Sequence, residues 1–265
     1  MARLTEAELR HYHAHGYVVP SYRVPDALLA RLRDALEDVL VANPDVRPEQ
    51  LAAIMTPKSG PGDTVGHQTF LDVALDAELV ELVSCVLGDD VIMWGGQLFC
   101  KPGDDGMEVP MHQDGQYWPI RPLATCTLWL AIDASTRENG CMEVVSRSHR
   151  DKVHYAHRQD DRDDLVLNQA VEDKRLGTVK THHIELEPGQ LSLHDVYLVH
   201  GSAPNRSSRR RAGFTVRYMP CTSVFRRNLE VPYGGYPVDW TTKPIWLARG
   251  EDVSGENSPF IDVRQ

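Results

Sequence analysis

The chain has 265 residues, 25% of them charged, and a formal net charge of −10. That length holds one large β domain or two small ones, and the acidic balance disfavours a nucleic-acid or anionic-membrane partner. No run of about 18 apolar residues is present to cross a membrane, and the first residues lack the apolar stretch of a secretory leader.

Thr5 to Glu8 has capping-box form, which predicts a short helix running to His15 and stopped by Gly16. Tyr17 to Val19 reads as a short strand. Leu28, Leu29, Leu32, Leu36, Val39 and Leu40 recur at helical spacing and predict a second helix from about Asp26 to Asn43. Residues 45–66 read as a loop. Phe70 to Leu87 reads as one or two further amphipathic helices ending at Gly88.

From Val91 the pattern changes to strands. They are expected over 91–101, 123–132, 141–145, 178–186, 190–193, 196–200 and 212–219, with an extended stretch over 112–117. The charged segment 150–177 reads as a long excursion, partly helical. It and the loop 45–66 are candidate lids. The tail, about 221–265, is rich in Pro, Gly and Trp and reads as irregular. Helices followed by short strands predict a mainly β fold with flanking α, a double-sheet jelly roll with helices on one face. The change near residue 90 reads as a change of layer inside one domain spanning 1–265: helices to about 90, a β core over about 91–220, then the tail. Five scattered cysteines, odd in number and without CxxC spacing, predict reduced thiols in a cytoplasmic protein.

The stretch His112-Gln113-Asp114 places an imidazole and a carboxylate two residues apart. On a strand such residues share a face, so both can grip one metal ion. His200 closes a short β-like run 88 residues later. It is the best-placed third ligand, since strands distant in sequence lie side by side in a jelly roll. Two histidines and one carboxylate leave open positions and suit non-haem iron(II). The other histidines fit this role less well. His149, His154 and His157 lie in or beside the charged excursion, and His182 and His183 face opposite sides of a strand. His194-Asp195 reads as a turn pair engaged in local hydrogen bonds. His67, in a loop before the third helix, is a candidate for substrate contact.

Arg211 opens the last strand. Period 2 puts it on one face with Gly213, Thr215 and Arg217, and puts Phe214, Val216 and Tyr218 on the other. A buried arginine beside a metal needs an anionic partner, and a bidentately held carboxylate satisfies it. Gln97, Phe99 and Lys101 share a strand face, while Gln116 and Trp118 continue the face of His112 and Asp114. With Arg217, these are candidate substrate contacts. The two inward cations, Lys101 and Arg217, point to a small anionic substrate such as an amino acid, carboxylic acid or phosphonate.

Several of these segments together resemble the phytanoyl-CoA dioxygenase family of iron(II)- and 2-oxoglutarate-dependent oxygenases. They are His112-Gln113-Asp114, the run from Thr127 to Asp133, Glu138-Asn139-Gly140-Cys141-Met142, Ser146 to His149, and His200 to Ser207 with Arg211. The likeness runs from about residue 5 to 220. It implies a double-stranded β-helix core, cupin-like, with iron held by His112, Asp114 and His200. It also implies 2-oxoglutarate and O2 as co-substrates, with release of succinate and CO2. Arg211, eleven residues after His200, matches the family's 2-oxoglutarate-binding arginine. Ser202 and Trp129 match positions lining the same pocket. Halogenase relatives replace the carboxylate ligand with a small residue. Retention of Asp114 therefore favours hydroxylation or another oxidation. Residues 206–211 form the sole concentrated basic run suited to a CoA thioester, so a small free acid is favoured. Two rival readings use the same residues: a zinc or other divalent-metal hydrolase on a cupin-like barrel, and a non-catalytic binding barrel. The hydrolase has no need for Arg211, and the intact triad argues against the binding barrel.

Overall fold

A computed structural model describes residues 2–56, 64–172, 179–229 and 240–262. Its helical layer follows the sequence signals. Helix α1 (Glu6–His15) starts at Thr5, whose hydroxyl accepts from Glu8 N while the Glu8 carboxylate accepts from Thr5 N, and Gly16 closes it at φ 86°. Strand β1 (Tyr17–Val18) leads to α2 (Asp26–Ala42), which buries Leu29, Leu32, Leu36 and Val39. The segment around 70–87 forms two helices, α3 (Gln68–Ala74) and α4 (Ala77–Leu87). They separate because the Asp76 carboxylate accepts from Glu78 N and Leu79 N and so caps a new helix start.

The β layer comprises β2 (Val91–Lys101), β3 (Val109–His112), β4 (Ile120–Arg121), β5 (Cys126–Ala131), β6 (Met142–Val144), β7 (His157–Gln159) and β8 (Gln169–Val171). It continues with β9 (His182–Ile184), β10 (Leu191–Asp195), β11 (His200–Ser202), β12 (Arg211–Pro220), β13 (Val224–Phe225), β14 (Trp246–Arg249) and β15 (Ile261–Asp262). A seven-stranded sheet in the order β1-β10-β5-β12-β2-β14-β15 faces a four-stranded sheet β3-β11-β6-β9. This is the expected mainly β, cupin-like double-stranded β-helix with N-terminal helices.

Alternation along the central strands assigns the two faces of the larger sheet. On β12, Phe214, Val216 and Tyr218 join the core shared with the helices. Phe214 meets Phe70 edge-on at 5.0 Å, and Tyr218 donates to Ala74 O. Burial of such side chains contributes about 1.5–3 kcal/mol each. Arg211, Gly213, Thr215 and Arg217 take the opposite face, toward the smaller sheet. On β5, Leu128 and Leu130 join the helix-side core, while Trp129 packs with Met142 and Val144 between the sheets.

Several local expectations need correction. The stretch 112–117 is not extended: β3 ends at His112, residues 114–117 form a turn, and Gly115 has φ 82°. Pairing of β3 with β11 stops at His112 opposite His200, so no ladder holds the chain straight beyond it. Residues 196–199 lie outside the strands, whereas β10 continues to Asp195. The excursion holds no helix among its described residues; it forms the hairpin β7–β8 instead. The tail is not wholly irregular, since β13, β14 and β15 lie in it. The loop 45–66 includes a short 3-10 helix, Pro48–Gln50, and its Leu51 O accepts from Leu98 N on β2. Parts of four predicted segments lie outside the described residues: 57–63 of that loop, 173–177 of the excursion, residue 178, and 230–239 with 263–265 of the tail. None of the five cysteines forms a disulfide. No helix among the described residues is long and apolar enough to cross a membrane.

Candidate active site

The register that ends β3 also builds the site. His112 and His200 are direct partners across β3 and β11, with ring centroids 4.3 Å apart. The turn after β3 swings Asp114 beside them. That turn is tight: a Cβ on Gly115 would lie 2.5 Å from Val196 Cγ2, and its positive φ suits glycine. One ligand atom from each of His112, Asp114 and His200 lies within 4.8 Å of the others; His112 and His200 are buried, and the Asp114 side chain is 11% exposed.

The protonation of these groups favours a cation. His112 Nδ1 lies 2.9 Å from Pro110 O and His200 Nδ1 lies 3.0 Å from Leu198 O. A carbonyl only accepts, so each Nδ1 donates to it and Nε2 is the ring nitrogen left to face the cluster. Burial, then the neighbouring His112 and His194, hold the His200 pKa well below the ordinary histidine value. Burial opposes ionisation of Asp114, but contacts with His112 and His194, and then the charges of His200 and Arg217, outweigh it and hold its carboxyl well below the usual range. Two imidazoles and a carboxylate form a donor set of the right type and spacing for one divalent ion.

A cavity opens on this cluster. Arg211, Ser202, Trp129, Gln97, Phe99, Gln116 and Arg217 all line it. Arg211 is 2% exposed, and its Nε and Nη2 have no hydrogen-bond partner among the described residues. Its guanidinium lies 5.3 Å from the Trp129 ring. Gly213 makes room for that indole, since a Cβ there would lie 2.0 Å from Trp129 Cζ2. Burial lowers the Arg211 pKa to about 10, which leaves it cationic at neutral pH. A buried, unpaired guanidinium facing a donor set for a metal is a receptor for a carboxylate.

Arg217 lies further along the same face. Its guanidinium is 5.4 Å from the Trp118 ring and 6.0 Å from the Trp94 ring. It donates to Gln97 Oε1 at 3.4 Å, and no described carboxylate pairs with it.

Three expected substrate contacts are placed elsewhere. Trp118 packs edge-on against Trp94 at 4.5 Å in a cluster with Ile120 and Phe225 and does not line the cavity. His67 caps α3, accepting from Thr69 N. Lys101 is fully buried, and its Nζ donates to Ser202 O and Ala203 O. Burial, then the neighbouring Arg211, lower its pKa to about 6, so at neutral pH it is an uncharged amine rather than an anion receptor.

Other cavity residues escaped the sequence reading. His194 lies on β10 rather than in a turn, and its ring centroid is 4.6 Å from that of His200. Alternation of Leu191 and Leu193 with Ser192 and His194 was the available signal. Thr127 lines the cavity and donates to Asp114 Oδ2 at 3.2 Å. Leu167 and Gln169 reach it from the excursion. His154 and His157, expected to be loop residues without site contacts, hold the ligand turn: His154 Nε2 donates to Asp114 O, and Gln113 N donates to His157 Nε2.

The family model for phytanoyl-CoA dioxygenase (PhyH) matches residues 12–213. The peroxisomal phytanoyl-CoA dioxygenase of Homo sapiens is 23% identical over 96% of this chain and 84% of its own length. A methylphosphonate hydroxylase of Gimesia maris is 23% identical over 81% of this chain and 80% of its own. Among solved structures, CytC3 with Fe(II) and alpha-ketoglutarate superposes with a TM-score of 0.67 at 18% identity, covering 96% of this chain and 92% of that one. The chain belongs to the phytanoyl-CoA dioxygenase family and is an iron(II)- and 2-oxoglutarate-dependent dioxygenase that consumes O2.

Proposed function

We propose that this enzyme oxidises an unactivated C–H bond of a small anionic metabolite, with release of succinate and CO2. In this reading His112, Asp114 and His200 hold the iron. Arg211 holds the distal carboxylate of 2-oxoglutarate, with Trp129 against its guanidinium and Ser202 in the same wall. Once bound, iron and 2-oxoglutarate together supply the power to activate O2 against a C–H bond. The protein fixes the target carbon and excludes water. The observation that carries the reading is the pairing of the donor set with Arg211, a buried cation whose donors face the same cavity unmet.

Arg217 supports an anionic substrate. It faces the cavity between two tryptophans with no described carboxylate on it, and its charge is felt by Lys243, whose pKa burial and Arg217 lower to about 8. With Lys101 neutral and outside the cavity lining, Arg217 alone of the two is left to meet a substrate anion. The likeness to a methylphosphonate hydroxylase is in keeping with a small oxoanion. A CoA thioester fits less well, because Arg210 already pairs with Asp133 and Glu37, and Arg209 with Glu138.

The test has two parts. Anaerobic addition of Fe(II) and 2-oxoglutarate should produce a weak visible charge-transfer band, absent in His112→Ala. A succinate-release screen over amino acids, carboxylic acids, phosphonates and acyl thioesters should find its strongest stimulation among the small anions. A response confined to acyl thioesters or neutral compounds would overturn the substrate class.

A further inference from the structure

One side chain in the cavity has no part in metal ligation, co-substrate binding or the Arg217 contact. His194 is 2% exposed on β10, and neither ring nitrogen has a hydrogen-bond partner among the described residues. Buried polar atoms are nearly always satisfied, so an exception facing a site calls for a role. His194 Nε2 faces Asp114 Oδ2 at 3.8 Å, and Thr127 Oγ1 donates to the same oxygen. The other oxygen, Oδ1, faces His112 Nε2 at 3.6 Å. The carboxylate is thus divided: one oxygen turns toward β5 and β10 of the larger sheet, the other toward the ligand histidines of the smaller one.

This division matters because Asp114 stands in a turn, where no strand ladder fixes its side chain. A carboxylate free to rotate presents either oxygen to a cation. Two groups held on the rigid sheet select one. His194 is not a fourth ligand on this geometry, since the ligand atoms lying within 4.8 Å of one another come from His112, Asp114 and His200.

We propose that His194 is a positioning residue for the metal centre, bracing Asp114 Oδ2 together with Thr127 so that Oδ1 is presented to the ion. The inference rests on the ligand set and on no particular substrate. Partners that orient a ligating side chain typically contribute about 10–100-fold to metal affinity. Co(II) titration of the metal-free enzyme, followed by calorimetry, reads this directly. His194→Phe keeps the ring and loses the donor. It should weaken Co(II) binding about 10–100-fold, while His194→Gln, which keeps an N–H, should stay within about threefold of wild type. The thermal midpoint of the metal-free protein should be the same in all three. Thr127→Val provides a second measurement should the phenylalanine variant not fold, and it should weaken Co(II) binding in the same direction. Unchanged Co(II) affinity in His194→Phe, or in Thr127→Val, would overturn the brace. Loss of binding in His194→Gln equal to that in His200→Ala would also overturn it, by making His194 a ligand. Failure of the wild type itself to bind Co(II) would sink the ligand set and the brace with it.

Discussion

Two arginines on one face of β12 sit six residues apart in different surroundings. Arg211 is enclosed: one tryptophan covers it, its Nε and Nη2 are unmet, and Lys101 is its cross-strand neighbour. Arg217 is half-buried, lies against Trp94 and Trp118, and spends one donor on Gln97. The enclosed guanidinium suits a partner that is the same in every turnover, because its charge is tolerable there only when a carboxylate arrives. Arg217 is supported by aromatic faces and a neutral amide even when no anion is present, which suits a partner that comes and goes. On the proposed reading, the strand carries a fixed co-substrate end and an adaptable substrate end.

Breaking the enclosed end should have the larger effect. Arg211→Ala removes the buried partner of a carboxylate, a loss of about 2–5 kcal/mol. The KM for 2-oxoglutarate should rise by about 30-fold or more, with Co(II) affinity in the absence of 2-oxoglutarate unchanged. Arg211→Lys should restore little, because a point charge does not replace a bidentate fork. Arg217→Ala should do less and do it elsewhere. Hydrogen bonds to charged groups contribute about 1.5–3 kcal/mol, so the KM for a stimulating anion found by succinate release should rise about 10–100-fold. The KM for 2-oxoglutarate should stay put, and slow succinate release without substrate should persist. A matching rise in both KM values would erase the distinction between the two ends.

The sequence made the enclosed end more legible than the adaptable one. Arg211 and Arg217 fall on one face by simple alternation, and β12 is a long regular strand, so the rule applies. The same rule applied to His112, Asp114, Gln116 and Trp118 misplaces Trp118, and the other three line the cavity for a reason other than strand alternation. The strand ends at His112, Gly115 bends the chain, and Trp118 is carried into an apolar cluster. Asp114 reaches the site by way of the turn and not by strand geometry. His194 was obscured for the opposite reason: a charged pair before a run of apolar residues reads as a turn, yet both residues lie on a buried strand. Lys101 was assigned to the correct face, but its protonation was misread. Alternation reports direction, whereas charge state depends on how completely a neighbour desolvates the group, and that is a three-dimensional quantity.

Lys101 gives the smallest effect and the finest check on the enclosed end. An ordinary lysine has a pKa near 10.5, and in the folded chain this one sits at about 6. Between these values the unfolded chain holds a proton on Lys101 that the folded chain has released. The unfolded state then binds more protons, so this group's contribution raises stability as pH rises through that window. It is least below about pH 6, where both states are protonated. Lys101→Met removes the titration together with two hydrogen bonds to the carbonyls of Ser202 and Ala203, so the pH dependence that Lys101 gives wild type should be absent from the variant. The stability of wild type minus that of the variant should increase from pH 6.5 to 8.5, by at most about 1.4 kcal/mol per unit. Urea unfolding of both proteins across that range measures it. A gap that does not change with pH would mean that Lys101 stays cationic beside Arg211, and the enclosed end would then carry two positive charges for its co-substrate instead of one.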